Sequence, residues 1–283
     1  MSNASSDDPV RDVEERLKPV PVNNAHKHHD TATGKVPWGP WAAVLYAAAV
    51  YFAAQIAASL AIAIYPRLKG WGSAQAESWL SNSVFAQFWF VLLAEALTFG
   101  AIWWFVRKRH AGLRSIGWRK PRWWDPVYTL AGFAVYIVLY LVLVNVAQNL
   151  FPSLNVNQKQ DLGFQNVSGT GNLTLTFISL VVLPPIVEET VFRGFMFTGL
   201  KTKLRWGWAA LLTSVLFAVP HLLESGQSGS LLWVAGIDTF TLSLVLCYLR
   251  EKTDSLWPGI LLHALKNGIA FVALYHILPG IQQ

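Results

Sequence analysis

Seven apolar runs, each close to the roughly 20 residues that cross a hydrocarbon core as one helix, dominate this chain: 41–65, 84–106, 127–150, 173–200, 206–223, 231–249 and 256–278. In lipid a spanning segment has no water to bond its peptide groups, and a helix satisfies them internally. The expected fold is therefore all-α, a polytopic transmembrane helix bundle of about seven spans. Only 13% of the residues are charged, about half the usual share of a soluble domain. A hydrophobic content of 53% and a mean hydropathy of +0.37 agree with membrane burial.

Punctuation refines that picture. Pro184 and Pro185 fall inside the fourth run, where two missing backbone donors should kink or divide the helix and open space beside the residues that follow. Between the second and third runs, 113–126 mixes Arg114, Arg119, Lys120 and Arg122 with Trp118, Trp123 and Trp124. That composition predicts an amphipathic helix lying in the interface. Tryptophans such as Trp38, Trp41, Trp103, Trp104, Trp206 and Trp257 stand near helix ends, as an interfacial aromatic belt requires. No internal repeat relates the two halves, which argues against a transporter built on inverted repeats.

The net charge of +6 raises nucleic acid as a partner. Lys and Arg, however, lie in short clusters between the runs, as membrane orientation signals do, so no nucleic-acid partner is expected. Arg107, Lys108 and Arg109, then Lys201, Lys203 and Arg205, then Arg250 and Lys252 all follow even-numbered spans. The amino terminus is thus expected in the cytoplasm, and seven spans place the carboxyl terminus outside. Residues 1–36 are polar, with no apolar signal segment, and read as a disordered cytoplasmic tail; His26, His28 and His29 within it read as solvated. The transmembrane domain is 37–283. The single cysteine, Cys247, forms no intrachain disulfide and reads as packing.

Charge inside the apolar runs is what bears on function, since an ionisable group at membrane depth is costly and marks a site by default. The fourth run holds Glu188, Glu189 and Arg193, the fifth holds Phe217 and His221, and the seventh holds His263 and Asn267. At 1.5 Å per residue, Glu188 lies about 20 Å, His221 about 24 Å, and His263 and Asn267 about 14 and 20 Å from their cytoplasmic ends, depths that let three helices present these groups to one point. Glu189 and Arg193, four apart, form a favourable helical ion pair, while Glu188 points about 100° away. That leaves Glu188 as the base for a water held between it and His221, with His263 and Asn267 as donors to an oxyanion and Phe217 as support for the His221 ring. Lys266 is expected to pair with Asp238 or to snorkel outward. Glu95, in the second run, has no motif partner; it reads as a structural hydrogen-bonder or as part of a cavity lining, with no choice made between them.

These residues sit in EETVFRG, FAVPH and HALKN, motifs that resemble the CAAX protease and bacteriocin-processing family, intramembrane endopeptidases of the Rce1 type. The resemblance covers 173–278, which makes that segment the catalytic core, with the first three spans alike only in general layout. It implies glutamate-dependent proteolysis in which Glu188 and His221 activate water, His263 and Asn267 form the oxyanion site, and Glu189, Arg193 and Phe217 support them. It further implies an integral membrane protein of the plasma membrane, if bacterial, acting on a membrane-tethered or lipidated peptide or protein. No cofactor is expected. Two alternatives stay open: a non-proteolytic membrane scaffold that keeps these residues for packing, and a zinc protease in which Glu188, His221 and His263 hold the metal. No HExxH spacing occurs in the chain.

Overall fold

The computed structural model describes residues 36–156, 163–164, 167–223 and 231–277. The expectations for the tail therefore lie, Val36 apart, outside the described residues, as do His26, His28 and His29. Seven helices are long and apolar enough to cross a membrane: α1 Pro40–Leu68, α3 Val84–Lys108, α4 Asp125–Leu150, α5 Thr170–Leu200, α6 Trp206–Leu223, α7 Trp233–Thr253 and α8 Trp257–Tyr275. One short helix that the apolar pattern does not announce, α2 Ser73–Asn82, joins α1 to α3 and buries none of its residues. Among the described residues every regular element is helical.

Lipid is as apolar as leucine, so helices in a membrane associate through close packing of small residues and through polar contacts. α1 buries Ala43, Ala47, Val50, Ala54 and Ala58, one small-residue stripe with helical spacing. α4 buries Asp125, Thr129, Gly132 and Tyr136 on one face, and turns Leu130, Val135, Val138 and Leu141 outward. Burial is correspondingly uneven: 11% of the most apolar stretch of α4 is inside the protein against 56% of that of α7.

α5 is the hub, packed against α1, α3, α6 and α8. The proline pair does not divide it. Instead the helix widens into π-helical turns at Ile178–Val182 and Thr190–Met196, with a regular segment Leu183–Glu189 between them. The physical reason is local. In an α-helix the Leu180 carbonyl accepts from residue 184 and in a π-turn from residue 185, and both are prolines without an N–H. The Leu183 N–H reaches back to Ile178, and the orphaned Leu180 carbonyl is satisfied from another helix, as described below.

The stretch 113–126 is not the interfacial helix its composition suggests. Leu113–Ile116 is a single 3₁₀ turn, ended by Gly117 at φ 95°, and Pro121 prevents any regular continuation toward Asp125. The segment is docked on the bundle rather than floating on headgroups. Ile116 is fully buried, the Trp118 indole donates to Thr190 Oγ1 at 3.1 Å, the Leu256 N–H donates to the Gly117 carbonyl at 3.0 Å, and the Trp257 indole donates to the Arg119 carbonyl at 2.7 Å. Gly194 on α5 permits this approach, because a Cβ there would stand 2.9 Å from the Ile116 carbonyl oxygen. Arg114, Lys120, Pro121, Arg122, Trp123 and Trp124 remain exposed.

Candidate active site

The π-turn that begins at Thr190 follows directly on the two glutamates and shapes what they reach. Glu189 is sealed, with 1% of its side chain exposed, and accepts from Arg193 Nη1 at 2.9 Å. The same oxygen, Oε1, lies 3.1 Å from His263 Nδ1 on α8. Glu189 therefore fixes the imidazole with the proton on Nδ1 and turns Nε2 the other way. There Nε2 stands 3.8 Å from Glu188 Oε2, and the Glu188 side chain is 27% exposed. The two adjacent acids thus have different settings: one is enclosed by a guanidinium and an imidazole, the other is partly exposed and lines a cavity.

α8 comes this close to α5 because Gly259 carries no side chain; a Cβ there would lie 3.1 Å from Glu189 Oε2. Phe217 on α6 fills the centre of the cluster. The Arg193 guanidinium lies over its ring at 4.2 Å, His263 meets its edge at 5.9 Å between centroids and His221 lies 5.2 Å away. His221 Nδ1 is 3.0 Å from the Phe217 carbonyl, so this ring donates from Nδ1 and keeps Nε2 as its basic nitrogen.

A cavity of about 470 Å³ opens beside Glu188 and His221, lined by α1, α3, α5 and α6. Its walls are mostly apolar, among them Val44, Ala47, Val187, Phe192 and Phe217. Tyr51, Phe52, Val219 and Leu223 belong to the lining and are also exposed on the outer surface, so the opening is flanked by lipid-facing residues. Polar residues that the motifs do not contain, among them Gln55, Glu95 and Thr98, share the lining.

The expected residues gather in unequal ways. Glu188, Glu189, Arg193, Phe217, His221 and His263 form one cluster. Asn267 lies one turn from His263, but its amide donates to the Leu180 carbonyl at 2.9 Å, the acceptor orphaned by the proline pair. Lys266 pairs with Asp238 at 2.7 Å, and Tyr136 on α4 donates to the same carboxylate, a third partner that only the folded bundle reveals. Cys247 is buried against Arg193. Among the described residues no three His, Cys, Asp or Glu side chains are grouped so as to hold a metal ion. His263 Nδ1 faces Glu189, which leaves Nε2 as the ring nitrogen on the Glu188 side.

Comparison with known proteins falls on the same segment. Residues 170–269 match the family model of the Rce1-like type II CAAX prenyl endopeptidases. They hold every motif residue named above, while α1 to α4 lie outside the match. Relatives of this chain include the "Uncharacterized 24.3 kDa protein" of Escherichia coli, 33% identical over 32% of this chain and 41% of that protein. The "UPF0177 protein YaiF" of Lactococcus lactis is 26% identical over 52% of this chain and 62% of that protein. The "Putative membrane peptidase YdiL" of Bacillus subtilis is 30% identical over 37% of this chain and 38% of that protein. The similarity thus spans less than two thirds of each of these relatives. No solved structure matches the chain.

Proposed function

We propose that this chain is an intramembrane endopeptidase that hydrolyses a peptide bond of a membrane-tethered or lipidated substrate. The observation that carries the proposal is the division of labour between the two acids: Glu189 enclosed between Arg193 and His263, Glu188 exposed to a cavity that also contains His221. The Rce1-like match and the peptidase name carried by the Bacillus relative support the same reading.

In this mechanism water is the only co-reactant. Glu188 accepts a proton from a water that His221 Nε2 helps to orient, and the water oxygen bonds to the scissile carbonyl carbon. His263, oriented by Glu189, and the second amide N–H of Asn267, one helical turn away, serve the oxyanion. The carbon–nitrogen bond then breaks as Glu188 returns its proton to the leaving nitrogen. The lipid-flanked cavity fits an apolar peptide delivered within the bilayer. The Lys and Arg clusters after even-numbered spans support a cytoplasmic amino terminus.

The test is cleavage-site mapping by mass spectrometry on membrane proteins from cells that carry wild-type or Glu188→Gln protein. New termini should appear with the wild type and vanish with the variant; identical sets of termini would overturn the reading. A second reading, a non-proteolytic scaffold, is favoured by one observation, the commitment of the Asn267 amide to the backbone of α5. It predicts no wild-type turnover, with Glu188→Gln altering partner binding alone.

A further inference from the structure

Glu95 stands near the middle of α3, outside the Rce1-like segment, and lines the same cavity as Glu188 and His221. Unlike Asp238 and Glu189, it has no complement: among the described residues no hydrogen bond or ion pair reaches its carboxyl. Asp238 has Lys266 and Tyr136, and Glu189 has Arg193 and His263. An uncompensated carboxyl at mid-membrane is costly to bury, a cost that packing alone gives no reason to retain. Gln55, from the neighbouring α1, lines the cavity too, and the Thr98 hydroxyl one turn along α3 already donates to the Ala94 carbonyl at 2.8 Å. The helices that carry no motif therefore contribute their own acceptors to an otherwise apolar chamber.

We propose that Glu95, with Gln55 in the same lining, is a specificity site that holds a hydrogen-bond-donating nitrogen of the bound peptide, either a lysine or arginine side chain or a backbone N–H. This rests on the cavity being the substrate chamber. The carboxyl orients the peptide from the α1 and α3 wall while Glu188 and His221 act from the α5 and α6 wall, so Glu95 is a positioning residue and takes no proton in the reaction.

Binding is measured in the uncleaving background, with full-length Glu188→Gln protein in lipid nanodiscs and empty nanodiscs as the blank. The probes are fluorescein-labelled peptides of leucine and alanine in which one lysine is moved along the chain, each matched by a norleucine version. If a basic side chain is the donor, lysine in one register binds at least about tenfold tighter than norleucine, and adding Glu95→Gln removes the difference. If a backbone N–H is the donor, lysine brings no gain, Glu95→Leu weakens every peptide about tenfold, and Glu95→Gln, which keeps an acceptor oxygen, restores binding. A merely structural role moves neither the lysine preference nor the rescue by glutamine. Equal binding by the protein that retains Glu95 and by its Glu95→Gln and Glu95→Leu variants, or binding by none of the three, overturns the proposal. The same peptides offered to protein with Glu188 intact separate the two readings. Glu95-dependent binding without any cleavage removes hydrolysis and leaves the subsite, and cleavage indifferent to Glu95 removes the subsite alone.

Discussion

Among the described residues, the charged clusters around Asp238 and around Glu189 are built on different principles. On α4, α7 and α8, Asp238 accepts from Tyr136 and pairs with Lys266 at 2.7 Å, one acid answered by one cation and a phenol. On α5, α6 and α8, Glu189 is answered by Arg193 and His263, and a second acid, Glu188, faces a cavity of about 470 Å³. The first cluster is closed and sits outside the cavity lining. The second is closed on one side and presents a carboxylate on the other. A charge pair inside a membrane is compatible with structure alone; a second acid lining a cavity beside such a pair is the arrangement on which the proposed chemistry rests.

The largest effect should follow from removing that second carboxylate. Glu188→Gln keeps the shape but not the base, and cleavage should fall about 10²–10⁴-fold while the thermal unfolding midpoint in detergent barely moves. A large drop in the midpoint would instead place Glu188 among the structural charges. Arg193→Met is the converse experiment. It strands the sealed Glu189 carboxylate and should lower stability by about 3–5 kcal/mol, measured by unfolding in mixed micelles. Adding Glu189→Gln should recover much of that loss, because the double variant has no buried charge left unanswered. Recovery of folding without recovery of cleavage would show that the Glu189–His263 contact is needed for the reaction as well as for the fold.

The closed cluster should behave as structure only. Both of its charged members are partly exposed, Lys266 at 25% and Asp238 at 15% of the side chain, so the penalty for breaking it is discounted from that of a sealed pair. Asp238→Asn or Lys266→Met alone should cost about 1–2 kcal/mol, and the two together should cost less than either. Cleavage by the double variant should stay within a few-fold of wild type. A hundredfold loss would mean that Lys266, next to Asn267 on α8, belongs to the reacting centre, and the contrast between the clusters would fail.

Sequence and structure agree where the controlling physics is local or is set by the bilayer. The seven spans are legible because lipid demands long, uncharged, self-bonded helices, and the Glu189–Arg193 pair because residues four apart share a helix face. The docked segment at 113–126 departs from expectation because its tryptophan and arginine content suits an interfacial helix, whereas Gly117 and Pro121 bar a continuous one. What stays hidden depends on how helices meet. Nothing in the spacing says that Glu189 reaches across to His263, that Gly259 makes the room for it, or that Tyr136 completes the Asp238 pair. Glu95 does carry a signal, a lone carboxylate in an apolar run, but only the bundle shows which space it lines.

The smallest effect is expected where the two halves of the Rce1-like segment are stitched together. The Leu180 carbonyl has lost its helical donors to Pro184 and Pro185, and the Asn267 amide replaces them at 2.9 Å. Asn267→Ala should therefore cost only about 0.6–1 kcal/mol, the range of interhelical hydrogen bonds in membranes. The decisive measurement is the double-mutant cycle with Pro184→Ala, which returns an N–H to the position that an α-helix would use for Leu180. If the amide serves the backbone, Asn267→Ala should cost less in the Pro184→Ala protein than in the wild type, because the carbonyl then has a donor of its own. If the two changes add without coupling, the amide is not completing the kink, and its place one turn from His263 must be explained by the chemistry of the site instead.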